Sequence, residues 1–171
     1  MKRTFIICIF SAMTLMLVSC GVTSTERKAA RTAEARELAL KIDTSVTNKD
    51  FTIVVDRILP MHYPSRSSQD GYTLSVKGNK VTCRLPYFGV SRTPLFGNED
   101  LSIVFKDYET TIMQDFSKHG EYKFFFKANN GKELFEITVQ IYNNGTAAIG
   151  VNCNSRDSIS YQGNVSFEEK K

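Results

Sequence analysis

From Phe51 onward, apolar and polar positions alternate with a period of two. Phe51, Ile53 and Val55 alternate with Thr52, Val54 and Asp56, and Tyr72, Leu74 and Val76 with Thr73, Ser75 and Lys77. Val81, Cys83 and Leu85 continue the pattern, as do Leu101, Ile103 and Phe105, and later runs cover 122–127, 134–142, 146–151 and 159–167. Successive side chains of a strand point to opposite faces, so this alternation, rich in β-branched and aromatic residues, predicts half-buried strands. Gly78-Asn79, Asn130-Gly131 and Asn144-Gly145 each fall between two runs. Such pairs supply the two positive φ values of a type I′ turn, which predicts tight hairpins and antiparallel pairing of sequential strands. The fold class that follows is mainly β: an antiparallel meander of about eight strands, barrel-like or a sandwich, over residues 50–171. Phe124-Phe125-Phe126 breaks the alternation. Adjacent residues face opposite sides of a sheet, so this strand is expected to be covered on both faces, or Phe125 to lie under an N-terminal helix.

Before Phe51 the apolar spacing lengthens. Thr23 and Glu26 stand at capping-box spacing, and a helix is predicted over 24–46. Ala35, Leu38, Ala39, Ile42 and Val46 form its narrow apolar stripe, and Glu37 and Lys41 an i,i+4 ion pair. So thin a stripe suits a helix at the domain edge or a spacer from a membrane. Glu26, Glu34 and Glu37 dilute its basic charge, which favours a solvated face over contact with lipid headgroups.

The first residues have another character. Lys2 and Arg3 precede an apolar run over 5–18, and Leu17-Val18-Ser19-Cys20-Gly21 closes it. A basic start, a short apolar stretch and a small residue before the cleavage point read as a secretory signal. The run is shorter than the roughly 20 residues a spanning helix needs. The cysteine makes it resemble the bacterial lipobox. That implies a signal peptide over 1–19, acylation of the Cys20 thiol and amine, and a lipidated tether over 20–28. Two or more acyl chains give stable anchoring where one does not.

Charge and cysteine content narrow the function classes. The signal carries two of the 22 basic residues and no acid, so the net charge of +4 falls by two in the mature chain. No basic cluster interleaved with aromatics marks a nucleic-acid surface. Cys8 leaves with the signal and Cys20 is acylated, so Cys83 and Cys153 remain. An exported protein permits a disulfide between them, but both fall inside predicted strands, and two separate buried thiols are the preferred reading.

One segment interrupts the strands. Leu85-Pro86-Tyr87-Phe88-Gly89 leads into an irregular stretch that carries Leu95 and Phe96. Pro86 cannot donate to a ladder. A loop so rich in apolar bulk either seals an open end of the core or is exposed to a partner. The seal is the preferred reading; Pro86, Tyr87, Phe88, Leu95 and Phe96 are the candidate partner or ligand residues if it is exposed.

These segments together carry a resemblance. The lipobox, the helix, the Gly71-Tyr72 strand, the Gly78-Asn79 hairpin, Leu85-Pro86-Tyr87-Phe88-Gly89, Asn144-Gly145-x-Ala147 and Ile159-Ser160-Tyr161-x-Gly163 resemble a family of uncharacterised Bacteroidales lipoproteins. That family is a domain of unknown function. The resemblance implies a location and a fold, and no activity or site residues.

Catalytic patterns are scarce. His62 and His119 lack neighbours at metal-ligand spacing, and no nucleophile elbow, phosphate loop or dinucleotide fingerprint occurs. No cofactor, metal or catalytic residue is assigned, and the expectation is a non-enzyme. Asp157-Ser158-Ile159 resembles a Bacteroidales O-glycosylation sequon that would modify Ser158, although an ordinary turn is preferred there. The expected function is a membrane-anchored envelope protein acting as a non-catalytic binding or structural module. The alternatives are a carrier of a small apolar ligand in a lipocalin-like cavity or, with less to support it, a hydrolase. Expected partners are the bilayer, through the Cys20 acyl chains, and an envelope protein or apolar ligand. Gly21 in place of Asp after Cys20, and a tether without an acidic run, point to the outer membrane facing the periplasm.

Overall fold

The computed structural model describes residues 24–68, 71–92, 101–116 and 118–167. Cys20, Thr23, the signal peptide, Leu95 and Phe96 lie outside them. The chain forms two compact units, Met1–Arg36 and Glu37–Lys171. Helix α1 runs Ser24–Thr47, and from Arg27 to Arg36 its side chains are exposed. No helix among the described residues is long and apolar enough to cross a membrane.

The second unit holds the last turns of α1 and ten strands. These are β1 (Asp50–Pro60), β2 (Arg66–Ser67), β3 (Thr73–Lys77), β4 (Lys80–Leu85), β5 (Ile103–Glu109), β6 (Met113–Asp115), β7 (Glu121–Asn129), β8 (Leu134–Tyr142), β9 (Thr146–Cys153) and β10 (Ile159–Ser166). All pair antiparallel in one sheet of order β5-β4-β3-β1-β10-β9-β8-β7-β6, with β2 on β1. The mainly-β meander is thus present as a single curled sheet, a half-barrel rather than a sandwich.

The curl follows from connectivity. β5 and β6 are successive in the chain but form opposite edges of the sheet. Only Thr110, Thr111 and Ile112 join them, which limits the gap at that point to about 14 Å. Side chains bridge what the ladder leaves open. Thr110 Oγ1 donates to Lys127 O at 2.7 Å, and Asn129 N donates to Tyr108 Oη at 3.1 Å.

The concave face is filled. Phe51, Phe105, Phe124, Phe126 and Phe135 are buried in one apolar cluster with Ile53, Leu74 and Tyr161. Phe51 meets Phe124 at 5.0 Å and Phe105 meets Phe135 at 5.7 Å, tilted and edge-to-face as aromatic quadrupoles prefer. Within α1, Ile42 and Val46 are buried in this cluster and Leu38 packs against it, so the stripe engages over its last turns, while Ala35 stays exposed. Glu37 and Lys41 pair at 2.8 Å.

Two local expectations are corrected. Phe124 and Phe126 are buried but Phe125 is exposed, so β7 is covered on one face only; Phe125 pairs outward beside Met113 of β6. Among the described residues only Gly78, Gly131 and Gly145 of the three turn pairs have positive φ, so none is a type I′ turn. Asn130 and Asn144 work through their side chains instead. Asn130 Oδ1 accepts from Lys132 N and Glu133 N, and Asn144 Oδ1 from Thr146 N. Such Asx contacts stabilise a turn without a left-handed asparagine.

Candidate loop site at the open end of the sheet

The Leu85-Pro86-Tyr87-Phe88-Gly89 segment leaves β4 and crosses to the β9–β10 loop. Pro86 and Tyr87 are buried, whereas Phe88 is 37% exposed. The carbonyl of Pro86, carried inward by the turn, accepts from Tyr161 Oη at 2.7 Å. Tyr87 Oη lies 3.1 Å from both Val90 O and Asp157 O, one hydroxyl proton shared between two carbonyls. Gly89 permits this: a Cβ there would stand 2.5 Å from Tyr87 Oη. Beyond it, Ser91 bridges to Arg156, Arg92 N donates to Ser155 O and Asp157 N to Val90 O, a short antiparallel contact between two loops.

Arg156 is the centre of the arrangement. Its Nε donates to Glu133 Oε1 at 2.8 Å, its Nη2 to Glu133 Oε2 at 2.5 Å, and its Nη1 to Leu101 O at 2.5 Å. The guanidinium lies over the rings of Tyr87 and Phe135, at 5.2 and 5.8 Å from their centroids. Ser155 Oγ also donates to Glu133 Oε1. Glu133 is buried. The hydrogen bonds from Arg156 hold its carboxyl below the usual carboxylate range, with help from Ser155 and Asn130 and against the effect of burial. A buried ion pair of this geometry contributes little net stability, but losing one partner strands a charge. What it does here is fix where the loops lie.

Burial pushes the Tyr87 hydroxyl up, and the Asp157 charge adds to this. Asp157 also faces His62 Nε2 at 3.9 Å and Arg92 Nη2 at 3.8 Å. His62 and His119 are both exposed. The rim of this end carries exposed apolar side chains: Met61 and Tyr63 on the β1–β2 loop, Phe88 and Val90 on the crossing segment. Arg66 of β2 stacks on Phe88 at 4.8 Å.

The other sequence candidates are dispersed. Cys83 on β4 and Cys153 on β9 are free thiols, their strands separated in the sheet by β3, β1 and β10. Burial pushes the Cys83 thiol up to about 12, so it stays protonated and unreactive. Ser158 is exposed where the chain enters β10. Among the described residues no group of three or more His, Cys, Asp or Glu could hold a metal ion. Glu133, Arg156 and Asp157 escape sequence reasoning because each sits in a polar turn. The only signal available was the charged pair Arg156-Asp157 inside a turn.

Residues 33–165 match the model of a family described as Domain of unknown function (DUF4251). A solved structure with the same architecture is a DUF4251 family protein from Bacteroides eggerthii DSM 20697, with a TM-score of 0.54 and 12% identity over 78% of this chain and 87% of that one. At that identity the likeness is one of fold. None of the curated proteins matches the chain.

Proposed function

The chain belongs to the DUF4251 family, and from that premise we propose that it is a lipid-anchored envelope protein whose β domain is a non-catalytic binding module, with the crossing loop as its contact surface. The carrying observation is the division of labour inside one motif: Tyr87 is locked into the core while the adjacent Phe88 is held exposed. Tyr87 thus acts as the seal and Phe88 as the exposed ring. A loop pinned by Arg156, Asp157 and Tyr161 presents that ring already ordered, which lowers the entropic cost of binding. Met61, Tyr63 and Val90 extend the apolar rim, the kind of exposed patch that marks a protein contact. Anchoring rests on the lipobox at Cys20, and Gly21 after it together with a tether without an acidic run supports the outer membrane, facing the periplasm. The non-catalytic reading is supported by the use already made of the polar groups at this end, which hold loops together. An apolar-ligand carrier has less support, because Phe51, Phe105, Phe124, Phe126 and Phe135 occupy the interior a ligand would need.

Crosslinking followed by pull-down of the full chain from native envelope tests the loop. Phe88→Ala is expected to melt like wild type and to lose the crosslinked partner; an unchanged set of partners sinks the reading. Metabolic labelling with palmitate is expected to tag the wild type and not Cys20→Ala, and label that persists in the variant would refute the anchor.

A further inference from the structure

A second surface lies on the outer face of the sheet, built by strands rather than loops. Its origin is a β-bulge. The β1–β10 register slips between Val55 and Arg57, so Asp56 and Arg57, consecutive in sequence, are both exposed on the outer side. Bulges commonly re-aim side chains in this way next to sites. Gly163 is what admits the bulge: a Cβ there would stand 2.1 Å from Val54 O. Across β10, Gln162 is the register partner of Arg57, and Asn164 donates from Nδ2 to Asp56 Oδ2 at 3.1 Å. The next strand is low. Ala148 pairs with Gln162 and Thr146 with Asn164. Beyond it the ring of Tyr142 on β8 is 37% exposed. The result is a groove of about 530 Å³, within the size range of small-molecule sites.

The chemistry of the groove selects a ligand class. One carboxylate and one guanidinium cancel, so its field favours a neutral occupant. Asp56 fixes the amide of Asn164, while the side chains of Arg57 and Gln162 make no hydrogen bond or ion pair among the described residues, leaving planar donors and an acceptor uncommitted. Strands β1, β10, β9 and β8 are all paired on both sides, so a peptide cannot add as a strand here. An aromatic face set beside carboxylate, amide and guanidinium groups matches a ring with C–H bonds on one face and hydroxyls around its edge. We propose that this outer groove binds a neutral carbohydrate, with Tyr142 stacking on a sugar ring and Arg57, Gln162 and Asn164 reading its hydroxyls. The site is independent of the Phe88 loop, because no groove residue belongs to that loop or to its anchoring cluster.

The test is amide-resolved NMR of the full chain in detergent, titrated with neutral hexasaccharides of glucose, xylose and N-acetylglucosamine. At least one sugar is expected to shift the amides of Ala148, Gln162 and Asn164 and to leave those of Tyr87 and Phe88 in place. Tyr142→Ala and Gln162→Ala should each weaken that binding about tenfold, and Tyr142→Phe, which keeps the ring, by less than about threefold. Both positions are exposed, and unchanged amide spectra of the free variants confirm folding. A panel that shifts no groove amide overturns the proposal, as does binding that Tyr142→Ala and Gln162→Ala leave intact.

Discussion

The two ends of the curled sheet are closed by different means, mainly polar at one and mainly apolar at the other, where Tyr122 Oη also donates to Asp43 Oδ1 at 2.9 Å. At the N-terminal end of β8, Glu133, Arg156, Tyr87, Asp157 and Tyr161 close the molecule with directed polar contacts. At the C-terminal end of the same strand, Ile42 and Leu38 of α1 pack against the hairpin at Gly145, and Ile42 is fully buried. Apolar packing there is non-directional and tolerates small shifts. The polar end does not, because each group must meet its partner at a set distance. A protein that only needed a closed core could use apolar packing at both ends. Polar contacts at the loop end instead impose one conformation on a segment that carries an exposed aromatic ring.

Arg156→Met should break the polar end most severely. It leaves the Glu133 carboxylate buried without a cation and is expected to cost about 3–5 kcal/mol in urea unfolding. The double variant Glu133→Leu/Arg156→Met should recover most of that loss, since no charge is then stranded. At the apolar end, Ile42→Ala should cost about 3 kcal/mol through lost burial and a cavity, independent of salt and of pH between 3 and 7. If Ile42→Ala proves pH-dependent over that range, the contrast between the ends fails. Tyr161→Phe removes one hydrogen bond from the buried Pro86 carbonyl and should cost about 1–2 kcal/mol, with faster hydrogen exchange confined to the crossing loop.

The smallest effect separates the ends by titration. Glu133 has its folded-state pKa lowered from the ordinary 4.5. The stability it contributes is therefore complete above 4.5 and is lost as pH falls through the lower folded value. Exchange at the amides of Arg156 and Asp157 should accelerate in that acid range before exchange at Ile42 does. Glu133→Gln should abolish the acid-dependent part, and a profile unchanged by this variant would assign the titration to another carboxylate.

How much of this was legible in the chain differs by element. The eight alternating runs correspond to the eight longer strands, because a period of two with one buried face is a local signal. The helix was legible from its apolar stripe, and its described span, Ser24–Thr47, differs from the expected 24–46 by one residue. The three-residue β6 and two-residue β2 were not, since neither is long enough to show a period. Of the candidate loop, Pro86, Tyr87 and Phe88 were identifiable by composition. Their separation into buried and exposed was not, because it depends on Asp157, 70 residues away from Tyr87. For Phe125 the triplet left open which face is covered, and the burial of Phe124 and Phe126 in the core turns it outward.

By itself the sequence determined the eight longer strands, where their hairpins turn and which face of each of them is apolar. All of these depend on neighbours within a few positions, where backbone geometry imposes its own period. The tertiary structure alone decided that β1 lies between β3 and β10, that one sheet curls until β5 and β7 are bridged by Tyr108 and Thr110, and that Arg156 meets Glu133. Those outcomes depend on register and closure, where a shift of one residue turns a side chain to the other face, and no local pattern encodes which distant partner will then be within reach.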